Sequence, residues 1–103
     1  MIKADFCRRG GEIVGFKVSG HAGYGHAGED IVCAAVSSAC FMTANGITDC
    51  AGLVCDIQID DDGEMKLTCF DRGAKLLLDS LYLHLTQLAQ QYQQYLIITN
   101  TEV

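Results

Sequence analysis

Apolar and polar side chains alternate along the first part of the chain, which is the pattern of strands with one buried face. The first set of apolar positions in this alternation comprises Ile2, Ala4 and Phe6. The second set comprises Val14, Phe16 and Val18. Gly10 and Gly11 separate the two sets, and paired glycines suit the tight turns that join antiparallel strands, because both central residues of such a turn need positive φ. The pattern therefore predicts an N-terminal β-hairpin.

The spacing of apolar residues becomes helical twice in the rest of the chain. The first helical stripe follows Asp30 and leads towards Gly52, through Val32, Ala35, Val36, Ala39, Thr43 and Ile47. The second stripe begins near Ala74 and contains Leu78, Leu81, Leu85, Leu88 and Tyr92. Asp30 is a preferred N-cap residue, because its carboxylate can accept a hydrogen bond from an unpaired N–H of the first turn. We expect the first helix to begin there.

Alternation returns between the two helices and after the second one. Between them, two short segments flank a turn at Asp62-Gly63, with apolar positions at Ile57, Ile59, Met65, Leu67 and Cys69. The β-branched segment from Leu96 to Thr99 predicts a short closing strand. The element order is then ββαββα(β) over residues 1–103. It predicts a single-domain α+β fold, a two-layer sandwich of a largely antiparallel sheet and two helices.

Residues 20–29 break both periodicities and contain a short repeat. Gly20-His21-Ala22-Gly23 recurs as Gly25-His26-Ala27-Gly28, which places two histidines in similar settings. Residues 23–28 also spell G-x-G-x-x-G, but a dinucleotide fold requires a parallel βαβ unit around that motif. A hairpin precedes the motif here, and the next two residues put carboxylates where a pyrophosphate would lie. We therefore exclude a dinucleotide site.

Composition excludes several further classes of function. The 103 residues contain 7 basic and 13 acidic side chains, for a net charge of −6 at pH 7. Direct nucleic-acid binding through clustered Lys and Arg is therefore not expected. The negative charge instead favours a basic protein partner. The 6 cysteines include no Cys-x-x-Cys pair, which excludes zinc ribbons and thioredoxin motifs. The acidic run of residues 60–64 lacks the spacing of an EF-hand and predicts a solvated turn.

Apolar run length and the N-terminal residues predict a cytoplasmic chain with no membrane partner. The longest uninterrupted apolar run is the six residues from Ile31 to Val36, and a bilayer-spanning helix needs about 20. Residues 1–5 carry opposite charges where a signal peptide would need an apolar stretch. In a reducing compartment most cysteines are expected to be small buried side chains. We expect this of Cys7, Cys40, Cys50, Cys55 and Cys69.

Cys33 is the residue with the clearest chemical potential. If Asp30 caps the helix, Cys33 is the third helical residue and lies among N–H groups that lack an intrahelical partner. Such groups and a nearby histidine favour a thiolate. A thiolate attacks acyl carbons, an imidazolium protonates the leaving amine, and the same N–H groups are candidates to stabilise a tetrahedral oxyanion. The histidines nearest in sequence are His21 and His26.

Other interpretations stay open on spacing alone. Cys33 also suits a core position, with His21 and His26 as solvated loop residues, and three such ligands would suffice for a catalytic zinc. Ser37 lies one helical turn after Cys33. Its hydroxyl could bond the thiolate or the imidazole, or else the carbonyl of Cys33. His84, between two leucines of the second helix, is expected at the surface or in an interface.

A motif in residues 20–38 carries a family resemblance. It consists of Gly20-His21-Ala22, a glycine-rich loop, and the run Asp30-Ile31-Val32-Cys33-Ala34-Ala35-Val36-Ser37-Ser38. This pattern resembles the ribosomal-processing cysteine protease family (Prp). The resemblance implies a cysteine endopeptidase that removes the N-terminal extension of ribosomal large-subunit protein twenty-seven. It also implies a homodimer, a basic ribosomal protein precursor as substrate, and neither a cofactor nor a metal.

The resemblance assigns roles to four residues. It implies His21 and Cys33 as the catalytic dyad, with Asp30 and Ser37 in support, and Asp30 is expected both to cap the helix and to orient His21. His26 falls in the family's variable loop, whereas His21 directly follows the second predicted strand, which favours His21 as the base. Two alternatives remain: a catalytically silent ribosome-associated binding module, and a small redox or metal sensor that uses Cys33.

Overall fold

The first two strands form the hairpin that the sequence predicts. The computed structural model describes residues 1–20 and 27–103 of the chain, with the side chains of residues 1–20 and 31–103. Strands β1 (Ile2–Arg9) and β2 (Glu12–Ser19) pair antiparallel. Gly10 and Gly11 supply the turn with φ of 60° and 82°, a left-handed conformation that glycine adopts without steric cost.

An irregularity in this hairpin changes which side chain of β2 is buried. Arg8 pairs with Ile13, whereas the residue before Arg8 pairs with Gly15, so Val14 is an extra residue in the ladder. Such a bulge reverses the side-chain alternation from that point on. Ile13 is therefore buried, with 6% of its surface exposed, and Val14 is only half-buried. The predicted inward position of Val14 is corrected to Ile13.

The second predicted hairpin consists of β3 (Asp56–Ile59) and β4 (Met65–Thr68). Its turn begins at Asp60, whose carbonyl accepts a hydrogen bond from the N–H of Gly63 at 3.0 Å. Gly63 has a φ of 83°. Asp60 Oδ1 accepts two further backbone N–H bonds, from Asp62 at 3.0 Å and from the residue after Gly63 at 2.9 Å. The acidic run is therefore an exposed turn held by its own aspartate, as predicted.

The described strands form one five-stranded sheet in the order β3-β4-β2-β1-β5. Strand β5 (Leu96–Glu102) is longer than predicted and pairs in parallel with β1. The other three pairings are antiparallel, so the prediction of a largely antiparallel sheet is confirmed. Strand β3 lies at one edge of the sheet.

Helix α1 (Ala27–Asn45) begins before Asp30. Asp30 is therefore a residue of the first turn and not the N-cap, which corrects its predicted structural role. Alanine and glutamate are strong helix formers, and acidic residues in a first turn are favoured by the positive end of the helix macrodipole. Ala27, Glu29 and Asp30 thus extend the helix towards the glycine-rich loop. A π-helical turn (Gly46–Cys50) continues the helix towards Gly52.

The core lies between the sheet and the two helices. Helix α2 (Lys75–Gln91) follows a 3-10 turn (Arg72–Ala74) close to the predicted start. One cluster of buried side chains joins the alternate residues of the strands to the predicted helical stripes. Its largest fully buried members are Phe6, Phe16, Ile2, Ile47, Leu67, Leu78 and Leu85. The ring of Phe6 meets that of Tyr82 edge to face, with centroids 4.9 Å apart. The two-layer α+β prediction is confirmed.

The helical segment Ile31–Cys50 corrects the prediction from apolar run length. Its 20 residues have a mean hydropathy of 1.5, so by length and composition alone the segment could cross a membrane. A run length misses this property because single polar residues interrupt the run without lowering the average much. In the described structure the segment is the central core helix, with Val32, Val36, Cys40 and Ile47 buried against the sheet and α2. Core helices of soluble proteins pass the same test of length and composition.

Candidate functional site

Cys33 lines a small pocket between α1, the end of β2 and the second hairpin. The cavity measures about 40 Å³. Its lining includes one face of α1, with Cys33, Ser37 and Phe41 on successive turns because they are four residues apart. Other parts of the lining are Ser19 at the end of β2 and Gly20 directly after it, with Ile59, Gly63 and Met65 of the second hairpin. We call this cavity the Cys33 pocket.

The position of Cys33 within α1 differs from the prediction. Because α1 begins at Ala27, Cys33 is the seventh helical residue and not the third. An α-helix leaves only the N–H groups of its first turn unpaired, and Cys33 lies beyond that turn. The amide of Cys33 therefore belongs to the helical ladder, and the unpaired N–H groups lie about a turn nearer to the start of the helix. The expected oxyanion site at unpaired N–H groups around Cys33 is therefore corrected, because this helix has its unpaired N–H groups before Cys33.

Ser37 is exposed on the turn that follows Cys33. Elsewhere in the helices, hydroxyl groups bond the carbonyl four residues earlier: Thr43 donates to Ala39 O at 2.9 Å, and Ser80 donates to Leu76 O at 2.6 Å. Among the hydrogen bonds between described residues, none joins the Ser37 hydroxyl to the carbonyl of Cys33. As far as the described residues go, the hydroxyl is therefore available to a group in the pocket.

Gly20 ends β2 at the rim of the Cys33 pocket. Its φ is +83°, and a Cβ at this position would collide with the carbonyl oxygen of Met1. Only glycine meets both requirements. The residues that follow, including His21 and His26, lie outside the described part of the chain, as does the side chain of Asp30. Their predicted roles stay predictions.

Replacing Gly20 with alanine should destabilise the fold through both constraints. We expect Gly20→Ala to lower the free energy of unfolding by at least about 2 kcal/mol, measured by urea denaturation. Gly52→Ala is the matched control, because Gly52 has a φ of +68° but nothing within 4 Å of the added Cβ. This variant should lower the free energy of unfolding only through the strained backbone conformation, by about 1 kcal/mol. If both variants lower the free energy of unfolding equally, the collision of the added Cβ with Met1 does not contribute to the destabilisation.

The other cysteines occupy different environments. Cys40 and Cys69 are buried, Cys7 and Cys55 are half-buried, and Cys50 is exposed. The expectation of packing is confirmed for the two buried residues and is wrong for Cys50, which lies in the π-helical turn at the end of α1. Burial raises the pKa of Cys40 to about 12. Burial also raises the pKa of Cys7, with Asp5 adding to the effect.

These differences predict the order in which the thiols are alkylated. Because the pKa of Cys40 is raised, its thiolate appears only towards pH 12, and at pH 8 its thiol is neutral as well as buried. We expect iodoacetamide at pH 8 to modify Cys50 at least about tenfold faster than Cys40 in the native protein, as measured by peptide mass spectrometry over time. In denaturant the two rates should converge. Equal rates in the native state would contradict the burial of Cys40.

Metal binding gains no support from the described residues. No group of three or more His, Cys, Asp or Glu side chains among them could hold a metal ion. The predicted alternative of a site formed by His21, His26 and Cys33 has two members outside the described residues. His84 is exposed on α2, which confirms its predicted surface position. It borders an apolar groove between α1 and α2.

Sequence patterns did not indicate the contribution of the second hairpin. Ile59, Gly63 and Met65 border the Cys33 pocket, yet no local signal links residues 56–68 to Cys33. The link arises because β4 pairs with β2, which carries the hairpin to the side of the sheet where α1 begins. Phe41 was also missed, although its spacing of eight residues from Cys33 places both on one helical face.

Comparison with known proteins gives a consistent result. The family model described as cysteine protease Prp matches residues 1–97. The ribosomal processing cysteine protease Prp of Staphylococcus aureus (strain Mu50) is 30% identical over 88 residues, which cover 82% of this chain and 83% of that protein. A crystal structure of a Streptococcus mutans protein is 32% identical and superposes with a TM-score of 0.89, covering 100% of this chain and 96% of that chain.

A further crystal structure shows the S. aureus ribosomal processing protease Prp in complex with a covalently linked product peptide. It is 27% identical, with a TM-score of 0.86, and covers 98% of this chain and 100% of that chain. The family match spans nearly the whole chain, and the two-layer fold with Cys33 at a pocket agrees with it. The resemblance seen in residues 20–38 is thereby confirmed. The chain belongs to the Prp family of ribosomal-processing cysteine proteases.

Proposed function

We propose that this cysteine protease removes the N-terminal extension of ribosomal large-subunit protein twenty-seven, with Cys33 as nucleophile and His21 as general base and acid. The observation that carries the proposal is the Cys33 pocket. Cys33 is half-buried at its wall, and Gly20, the residue before His21, is part of the same wall. Adjacent Cα atoms are about 3.8 Å apart, and this direct link from Gly20 supports His21 as the base.

The reaction proceeds in two steps. His21 accepts the proton of the Cys33 thiol, and Sγ attacks the scissile carbonyl to form a tetrahedral intermediate. The intermediate collapses to a thioester between Cys33 and the N-terminal extension, and His21 donates its proton to the leaving amine. Water, deprotonated by His21, then hydrolyses the thioester. The covalently linked product peptide in the S. aureus relative supports a covalent intermediate in this family.

Asp30 and Ser37 support the dyad. Asp30 lies in the first turn of α1, one turn before Cys33 along the helix. Its carboxylate orients His21 and stabilises the imidazolium. Ser37 lies one turn after Cys33 in the pocket wall, where its hydroxyl hydrogen-bonds the imidazole or the bound peptide.

Charge complementarity selects a basic substrate. The chain carries a net charge of −6, and the acidic turn of residues 60–64 adjoins the Cys33 pocket through Gly63. An acidic rim attracts a basic polypeptide and raises its rate of encounter. The same charge disfavours contact with nucleic acid. We further propose that the protein acts in the cytoplasm as a homodimer, with neither a cofactor nor a membrane partner.

Reversing one charge in the acidic turn tests this attraction. Asp61 is exposed at the centre of the turn, and we expect Asp61→Lys to raise KM for the precursor about three- to tenfold at low salt, with kcat unchanged. The increase should disappear at high salt because screening removes the attraction. The double variant Gln87→Lys/Gln91→Lys changes the net charge by the same amount on α2, away from the turn, and should leave KM as it is. A KM that follows net charge alone would contradict a role for the turn.

Cleavage of the precursor is the direct test of the proposed function. The purified protein is incubated with the ribosomal protein twenty-seven precursor of the same organism, and the product is measured by intact mass. We expect one cut that releases the N-terminal extension, and no cut in a precursor that lacks it. Binding without cleavage would favour the silent ribosome-associated module. If the precursor is neither bound nor cut, the proposed function is wrong, and the interpretation of Cys33 as part of a redox or metal sensor is favoured.

A further inference from the structure

Two cysteines outside the Cys33 pocket face each other across the second hairpin. The register pairs Asp56 with Thr68 and Ile57 with Leu67, so Cys55 and Cys69 are opposed one step beyond the last ladder pair. Opposed residues of an antiparallel pair project to the same face of the sheet. In an antiparallel pair, opposed Cα atoms are about 4.5 or 5.5 Å apart, depending on the type of pair. Both values fall inside the range of roughly 4.4–6.8 Å that a disulfide requires.

The surroundings of the two thiols differ in a way that suits stepwise oxidation. Both residues border a surface depression next to Val54 and Phe70. Cys69 is buried, with 3% of its surface exposed, and its Sγ donates a hydrogen bond to Val54 O at 3.7 Å. Cys55 is half-buried and so can be reached from solvent. Burial raises the pKa of Cys55, and the nearby Cys69 and Asp56 raise it further, as expected for two thiols opposed across the hairpin.

We propose that Cys55 and Cys69 form a redox-active pair that closes to an intramolecular disulfide by exchange with a small disulfide such as glutathione disulfide. The thiolate of Cys55 attacks one sulfur of the oxidant, forms a mixed disulfide and releases one glutathione. Cys69 then attacks Sγ of Cys55, forms the Cys55–Cys69 bond and releases the second glutathione. The two cysteines lose two electrons and two protons in total, and the oxidant takes up both.

The disulfide would tie the open end of the hairpin whose turn borders the Cys33 pocket. Strand β3 lies at the edge of the sheet and pairs only with β4 among the described strands. A covalent link from Cys55 to Cys69 therefore holds an edge strand that few other contacts restrain. The pair acts without any part of the proposed catalytic dyad, so its chemistry is independent of the proposed cleavage.

Oxidation and disulfide mapping test the pair. The reduced protein is treated with increasing glutathione disulfide at mildly alkaline pH, because the raised pKa of Cys55 disfavours its thiolate at neutral pH. Digestion without reductant, followed by mass spectrometry, should yield the peptides of Cys55 and Cys69 joined with the loss of two hydrogens. Closing this loop should raise Tm by about 10 °C, and dithiothreitol should reverse the shift.

Single replacements make the outcome decisive. Cys55→Ser should abolish both the linked peptide and the rise in Tm, whereas Cys50→Ser, at an exposed thiol outside the pair, should leave both intact. Cys69→Ala provides a second variant, with Cys55 left as a stable mixed disulfide with glutathione. A wild-type Cys55 that remains a mixed disulfide, or that links two chains, would overturn the proposal. So would an oxidised protein in which both thiols stay free.

Discussion

Replacing Cys33 with serine should reduce turnover of the precursor at least about a thousandfold. A serine hydroxyl has nearly the shape of the thiol, but it is far less acidic and a weaker nucleophile. Because Cys33 is half-buried in the wall of its pocket, the serine should keep the fold and the binding of substrate. We therefore expect kcat to fall while Kd for the precursor stays within about threefold. Single-turnover cleavage and equilibrium binding measure the two quantities separately.

The matched control is Cys50→Ser, which removes an exposed thiol outside the Cys33 pocket. It should retain full activity and the same Tm as the unmodified protein. A comparable loss of activity in both variants would show that loss of any thiol, and not of the nucleophile, impairs the enzyme. Substantial cleavage by Cys33→Ser would refute the assignment of Cys33.

The second large effect concerns the two histidines of the repeated Gly-His-Ala-Gly motif. We expect His21→Ala to lower kcat at least about a hundredfold, the low end for loss of a general acid–base group. His26→Ala should lower kcat at most a few-fold. Gly20 anchors the chain directly before His21, at the end of β2 and in the wall of the Cys33 pocket. A base must stay within roughly 3 Å of its nucleophile, so support by a strand favours His21.

Each of the two variants is the control for the other, because both remove an imidazole from the same short segment. Circular dichroism and Tm should agree between them, so that a difference in kcat reports chemistry. If the two costs are reversed, His26 is the base and His21 is not. If both variants keep full activity, neither histidine takes the thiol proton.

The sequence predicted the elements whose signal is local. The alternation of Ile2, Ala4 and Phe6 and the stripe of Leu78, Leu81 and Leu85 specify which side chains are buried, because a single strand or helix has a fixed period. All six are buried in the structure. The element order followed from these periods, and the largely antiparallel sheet followed from the two hairpins.

The features that sequence missed depend on contacts between distant segments. The bulge at Val14 is a matter of register between β1 and β2, and a single strand does not carry that information. Helix α1 starts at Ala27 and not after Asp30. Asp30 is a good N-cap residue, but the residues before it include good helix formers. The spacing of apolar residues does not decide between these two helix starts. The hairpin residues of the Cys33 pocket, such as Ile59, arrive through the strand order. Cys33 was singled out by its predicted place at the start of a helix, which the structure corrects, and by the motif of residues 20–38, which the family match supports.

Trapping the covalent intermediate tests whether Cys33 is the nucleophile. The protein is mixed with the precursor, quenched with acid within the first turnover, and measured by intact mass and peptide mapping. We predict that the N-terminal extension is joined to Cys33 through a thioester after the mature protein has left. Hydroxylamine should remove this acyl group. Cleavage without an acyl group on Cys33, or with the acyl group on another residue, would show that Cys33 is not the nucleophile.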